Sequence, residues 1–176
     1  MADQIQSYWD ILKPNFEAIN IYEGREKYFE SCDKVPRLTV LLYATHMCAS
    51  EVHNGGFLQL FWNNTGIVVP EAIEGYRVMG MPDLANLLES TAKLLGEPYP
   101  RDRDGRWDAL LRASGRVSEE VKAIFERNDN LYSAFLEATK PLKFDPLDER
   151  FWDLAASEAG GYGEAATKYA RSVIAN

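Results

Sequence analysis

The segment 38–52 has apolar residues around most of the circumference of a helix, and this pattern constrains the fold more than any other feature. A helix at a protein surface carries one apolar stripe, whereas a helix that is apolar nearly all round must be covered on every side. The segment therefore predicts a buried central helix with other helices packed around it. Its apolar residues include Leu38, Leu41, Leu42, Met47, Cys48 and Val52.

Proline and glycine divide the rest of the chain into segments of helical length and period, and proline stands where the first turn of several of them would begin. The only β-branched run, at 66–70, ends in proline. We therefore predict an all-α protein in which residues 1–176 form a single compact multi-helix domain. The predicted helices span residues 4–20, 24–31, 36–54, 70–79, 82–95, 107–113, 118–139, 146–156 and 164–174.

The charge of the chain limits the partners that it can bind. Its 176 residues include 27 Asp and Glu against 19 Lys and Arg, so the formal net charge is −8. Binding to nucleic acid requires clustered Lys and Arg that neutralise phosphates. We therefore predict that the protein does not bind nucleic acid directly.

The sequence also predicts a location. The first four residues, Met-Ala-Asp-Gln, lack the basic and apolar regions of a secretory signal. The apolar stretch 38–50 is 13 residues long, which is shorter than the about 20 residues that span a bilayer. Cys32 and Cys48 fit neither a metal motif nor a disulfide framework. We predict a cytoplasmic protein with two reduced thiols and no membrane attachment.

The two histidines, His46 and His53, do not form a metal site on a helix. They return to nearly the same face, but seven residues separate them by about 10.5 Å along the axis. Zinc–nitrogen bonds of roughly 2.0–2.1 Å cannot bridge that gap. Because the sequence also lacks a nucleophile–base motif and a phosphate-binding loop, we predict no metal, no cofactor and no enzymatic activity.

The densest local pattern in the chain is the run 51–66, which reads as a helix stop followed by a restart. Asn54 and Gly55 suit the end of a helix, and the aromatic residues after them suit a short second helix. Two interpretations stay open. The run is either a structural corner in which the glycines permit close packing, or a polar pocket beside aromatic rings. The residues of that pocket would be Glu51, Asn54, Gln59 and Asn63.

The same run resembles the signature of a bacterial all-helical family, catalogued as a domain of unknown function, whose best-described role is that of a DNA mimic. The segment 146–152 resembles the C-terminal pattern of that family. The resemblance spans about residues 38–152, and the signature that identifies the family is the sequence Asn54-Gly55-Gly56-Phe57. It implies a protein that binds a DNA-binding protein through a surface imitating duplex charge, without catalysis. It implies no chemical role for those four residues.

Mimicry of this kind requires carboxylates in ordered rows. Residues 144–167 contain six acids against Arg150 alone, and on a helix three of these acids share an arc opposite the apolar face. The stretch 101–116 has the opposite balance, five arginines against three aspartates. The acids predicted to bind a partner are Asp145, Asp148, Glu149, Asp153 and Glu158, joined by Glu119, Glu120 and Glu126 of the preceding predicted helix.

These patterns lead to a functional prediction with alternatives. We predict a protein that occupies the DNA site of a basic DNA-binding protein, such as a transcriptional regulator or a nucleoid protein. Trp152 is interpreted either as an anchor for the partner or as part of the core. One alternative is an antitoxin or immunity protein that blocks a basic toxin, and another is a ligand-binding or enzymatic domain centred on Glu51, Asn54 and Gln59. The sequence is also compatible with a homodimer.

Overall fold

The computed structural model describes residues 5–175, which form ten α-helices and no strand, so the all-α prediction is confirmed. The predicted start of the first helix, at Gln4, lies outside the described residues. The helices are α1 Trp9–Leu12, α2 Arg25–Cys32, α3 Arg37–Trp62, α4 Val69–Val78, α5 Pro82–Ala92, α6 Arg103–Ala113, α7 Ser118–Arg127, α8 Leu131–Thr139, α9 Asp145–Ser157 and α10 Tyr162–Ala175. Short 3₁₀ helices at Lys13–Ala18, Asn64–Val68, Lys93–Leu95, Lys140–Leu142 and Glu158–Gly160 connect several of them.

Helix α3 is the predicted central helix. Leu42, Cys48 and Val52 have no exposed surface, and α4, α6, α9 and α10 all pack against α3. Helix α4 approaches α3 closely at Gly75, where a Cβ would lie 2.6 Å from the Thr45 methyl group. Glycine at this position therefore sets the close approach of the two helices.

The helix stop and restart predicted around Asn54 is present as a break within α3. Gly55 has φ −166° and ψ 26°, and Gly56 has φ 74° and ψ −176°, so neither residue is helical. A positive φ such as that of Gly56 is costly for any residue with a Cβ. The helix then resumes at Phe57 and ends at Trp62.

The prediction of one continuous helix at 118–139 is wrong, because α7 and α8 are separate helices. Asn128 and Asn130 both have extended backbone. The side chain of Asn130 accepts a hydrogen bond from the Ser133 N–H at 2.9 Å, and the side chain of Asn128 donates to the Ile124 carbonyl at 2.7 Å. Asparagine side chains that bond the backbone in this way compete with helical hydrogen bonds and end the helix.

Two further features of the described part of the chain bear on function. Among residues 5–175, no helix combines the length and the apolar character needed to cross a membrane. The same residues contain no group of three or more His, Cys, Asp or Glu side chains arranged to hold a metal ion.

Candidate functional site

Helix α9 docks onto the break in α3. The Asp148 carboxylate accepts a hydrogen bond from the Phe57 N–H at 2.7 Å. This N–H belongs to the first turn after the break, where helical donors have no partner within their own helix. A Cβ on Gly56 would overlap the same carboxylate. The second glycine of the run 54–57 is therefore required both by its backbone conformation and by the approach of Asp148.

Burial changes the acidity of Asp148. The pKa of its carboxyl group is raised from 3.8 to about 6: desolvation raises the pKa most, the hydrogen bond from the Phe57 N–H lowers it, and the nearby Asp145 charge raises it. Loss of hydration is the largest of these effects because it disfavours the charged form. Asp148 is thus a half-buried group that caps a helix, and its ionisation costs free energy because the charged form is poorly hydrated.

Trp152 lies one turn beyond Asp148 and contacts the same break. Its indole N–H donates to the Val52 carbonyl at 3.2 Å, while 41% of the residue remains exposed. Trp152 is therefore an exposed residue and not part of the core, and its use as an anchor for a partner stays a prediction. Trp152 helps to attach α9 to α3, and it also presents an aromatic edge to solvent beside the acids of α9.

The acidic residues of α9 fall into two groups. Asp145, Glu149 and Asp153 are exposed, and none of them enters an ion pair within residues 5–175. Asp148 and Glu158 are half-buried. The Glu158 carboxylate, at the C-terminal end of α9, accepts hydrogen bonds from the backbone N–H groups of Asp83 and Leu84 at 2.8 and 2.9 Å, so it caps α5.

We call the three exposed carboxylates Asp145, Glu149 and Asp153 the α9 acidic row. Consecutive members are four residues apart, so they follow one side of the helix over about 12 Å. Asp148 and Glu158, which the sequence placed in the same set, have structural partners instead.

The acids of α7 are exposed but partly neutralised. Glu120 lies 3.8 Å from Arg116, and Glu126 lies 3.6 Å from Lys122. Glu119 is exposed. Surface pairs of this kind are screened by water and add little stability. They do, however, reduce the negative potential that α7 offers to a partner. Among the described residues the α9 acidic row has no such pairs, so its negative charge is less neutralised than that of α7.

The polar cluster predicted at the corner acts as a clamp across the break in α3. Glu51 lies before the break, and its carboxylate accepts hydrogen bonds from three side chains after it: Gln59 Nε2 at 2.8 Å, Asn63 Nδ2 at 2.9 Å and Thr65 Oγ1 at 2.7 Å. Three donors from the same chain occupy the carboxylate. Asn54, the remaining member of the predicted pocket, is exposed. The arrangement favours the structural interpretation of the corner over a ligand pocket.

Two arginines of the stretch 101–116 bind groups inside the protein, and Arg106 is fully buried whereas Arg101 is partly exposed. Arg106 is fully buried and donates to the Phe61 carbonyl at 3.0 Å, to the Asn63 carbonyl at 2.7 Å and to the Arg101 carbonyl. Phe61 and Asn63 lie at the C-terminal end of α3, where carbonyls lack helical partners and attract cations. Arg106 therefore caps the central helix from another part of the chain.

Arg101 pairs with a buried carboxylate. Its guanidinium contacts Glu71 through two bonds, of 2.6 and 2.9 Å, and Tyr28 donates to the same carboxylate at 3.0 Å. Without Arg101 and Arg106, the stretch 101–116 carries three arginines against three aspartates. With one of these arginines buried and the other paired, the surface of this stretch lacks the positive balance expected from the sequence, and no sequence pattern marked either residue for such a role.

Both histidines have hydrogen-bond partners within the protein. His46 Nδ1 lies 3.0 Å from the Tyr8 hydroxyl, and its ring packs beside Trp9 with centroids 4.9 Å apart. His53 Nδ1 lies 2.7 Å from the Ala49 carbonyl. These contacts agree with the structural roles expected from their spacing.

The chain matches a protein-family model described as DMP19-like protein over residues 33–173. No curated protein matches it, and no solved structure matches it. The matched region contains the broken helix α3, the clamp at Glu51 and the α9 acidic row. It leaves out α1 and α2.

Proposed function

The chain belongs to the DMP19-like protein family, and from this premise we propose that it is a non-catalytic DNA mimic that occupies the DNA-binding site of a basic protein. A transcriptional regulator or a nucleoid protein has the required chemistry. The observation that carries the proposal is the α9 acidic row, whose three carboxylates are exposed and free of ion pairs among the described residues.

The packing of α9 holds the carboxylates of the α9 acidic row on a rigid helix. Helix α9 is attached to the central helix by the Asp148 and Trp152 hydrogen bonds and by buried Phe151. A row held on a rigid helix loses little freedom when a partner binds, so more of the electrostatic attraction appears as affinity. The carboxylates steer the partner and set the register of the contact.

One helix supplies only part of the charge of duplex DNA. Over the about 12 Å of the α9 acidic row, B-DNA carries about seven phosphates. The remaining charge must come from other acids, and Glu119, Glu120 and Glu126 on α7 are the first candidates. We therefore expect the row to contribute strongly to binding without accounting for all of it.

The central experiment compares two variants that lose the same charge. The test variant carries Asp145→Asn, Glu149→Gln and Asp153→Asn. The control carries Glu17→Gln, Glu26→Gln and Asp108→Asn, three exposed acids outside α7 and α9. A basic partner is first captured on the immobilised wild-type protein at low salt and released with duplex DNA, and it is then purified for binding measurements.

We expect the test variant to bind the purified partner at least about tenfold more weakly, which corresponds to about 1.4 kcal/mol, and the control to stay within a few-fold of wild type. Wild-type affinity should fall steeply with salt, because the Debye length is only about 10 Å at 0.1 M. Equal losses in both variants, or partners that duplex DNA does not release, would contradict the proposal.

A further inference from the structure

A groove opens beside the α9 acidic row. It lies between the end of α8 and the first turn of α9, next to the break in α3, and has a volume of about 760 Å³. Leu58, Leu136 and Phe144 line it, and Leu136 is 40% exposed. An apolar concavity of this kind does not imitate a phosphate backbone, so it calls for a separate explanation.

The groove is lined by charged side chains of both signs. Lys140 and Lys143 follow α8, and both are exposed and without an ion pair in the part of the chain that the structure describes. Arg116 lines the groove as well and lies 3.8 Å from Glu120. The carboxylates of Asp145 and Asp148 come from the first turn of α9.

Asp145 is also the first member of the α9 acidic row, so the groove is continuous with the surface proposed to bind a partner. A uniformly basic partner would be attracted by the row and repelled by the lysines. A partner that contacts both the row and the lysines must therefore carry charges of both signs.

We propose that the groove is the anchoring and specificity subsite of this interface, and that it takes an apolar side chain of the partner, with arginine or lysine toward Asp145 and an acidic residue toward Lys140 and Lys143. The inference rests on the proposed function and names the partner chemistry of the same surface. An apolar side chain buried at the centre of a contact supplies more binding energy than a rim charge, and like charges facing each other exclude other basic proteins.

Two synthetic peptides test the groove. The basic peptide is an alanine-based helix with a row of arginines along one face. In the mixed peptide, one end of that row is replaced by leucine, with glutamate one turn further on. Binding of both to the wild-type protein is measured by fluorescence anisotropy at low salt. We expect the mixed peptide to bind about tenfold more tightly although it carries less positive charge.

Charge reversal of the lysines distinguishes specific binding in the groove from general electrostatic attraction to an acidic protein. Lys140→Glu with Lys143→Glu makes the protein more acidic, so simple attraction predicts tighter binding of both peptides. If the groove is a specificity subsite, this variant should bind the basic peptide more tightly and the mixed peptide more weakly than the wild type does. The matched control, Lys13→Glu with Lys168→Glu, reverses two exposed lysines elsewhere and should not weaken the mixed peptide.

A third variant, Leu136→Ser, should weaken the mixed peptide and leave the basic peptide unchanged. Thermal unfolding and helix content must match wild type for each variant used. If the lysine reversal tightens both peptides, the groove inference is overturned while the proposed function survives. If the basic peptide binds wild type and the Asp145/Glu149/Asp153 variant equally, the proposed function itself fails.

Discussion

The Asp148 carboxylate caps the second half of the central helix by accepting a hydrogen bond from the Phe57 N–H, a residue 91 positions earlier in the chain. Glycine at 56 makes the contact possible because it has neither the Cβ nor the backbone restriction of other residues. One hydrogen bond thus joins the family signature to the helix that carries the α9 acidic row. Four predictions follow from this corner and its surroundings.

Gly56→Ala should destabilise the protein by about 2–3 kcal/mol, because the substitution adds backbone strain and displaces the Asp148 cap. Gly80→Ala is the matched control. Gly80 also has a positive φ, of 79°, but a Cβ there meets nothing within 4 Å. The free energy of unfolding of this control should fall by only about 1 kcal/mol. Urea unfolding measures both, and equal losses would show that the contact with Asp148 contributes nothing.

Asp148→Asn should change how stability depends on pH. The pKa of Asp148 is about 6 in the folded protein against an ordinary 3.8. Between these two pH values the folded protein therefore holds a proton that the unfolded chain has released. The stability that this group contributes is therefore full below its ordinary pKa and is lost as pH rises through about 6.

Asparagine retains an acceptor for Phe57 and does not ionise. The variant should gain on the order of 1 kcal/mol relative to wild type between about pH 4 and pH 7, after allowance for solvent screening of a half-buried group. Chemical unfolding across that range tests the expectation. A difference that stays constant with pH would count against it.

Glu51→Gln should destabilise the break in α3. The amide nitrogen of glutamine would face donors on Gln59, Asn63 and Thr65, leaving at least one of them without an acceptor, at a cost of about 1–3 kcal/mol. Glu17→Gln, at an exposed site, should stay within about 0.5 kcal/mol of wild type. Thermal unfolding of the two variants distinguishes a clamp from a general charge effect.

Arg106→Met should be the most damaging of these substitutions. It removes the donor to three carbonyls in a site without exposed surface, and we expect a loss of about 3 kcal/mol or more. Arg106→Lys should recover only part of this loss, since one ammonium group cannot reproduce the fork of a guanidinium. Arg112→Met, at an exposed arginine, provides the control. Full stability of the Arg106→Met variant would contradict the capping role.

Much of the fold was predictable from local patterns. The apolar circumference of 38–52 predicts the buried part of α3, and Asn54 with Gly55 predicts its break, because both depend on properties of neighbouring residues. The boundary between α7 and α8 was missed, since the periodicity of 118–139 continues across asparagines whose side chains bond the backbone there.

The roles of individual charged residues were less predictable. Asp148 and Glu149 are neighbours of the same chemical type, yet one caps a distant helix and the other is exposed. Glu51, Gln59 and Asn63 were grouped from the sequence as a polar pocket, whereas in the structure they form a clamp whose hydrogen bonds depend on the turn of the chain after the break. No feature of the sequence distinguishes Arg101 and Arg106 from surface arginines.

Local sequence patterns were enough to predict an all-helical chain with a broken central helix, and the composition sets a net charge of −8. Which of these charges reach the surface depends on how the helices pack. It buries Arg106 without a carboxylate, pairs Arg101 with Glu71 and uses Asp148 and Glu158 as caps. The reason is physical: a charge can leave water only where distant parts of the chain supply its hydrogen bonds, and those distances are set by packing rather than by local sequence.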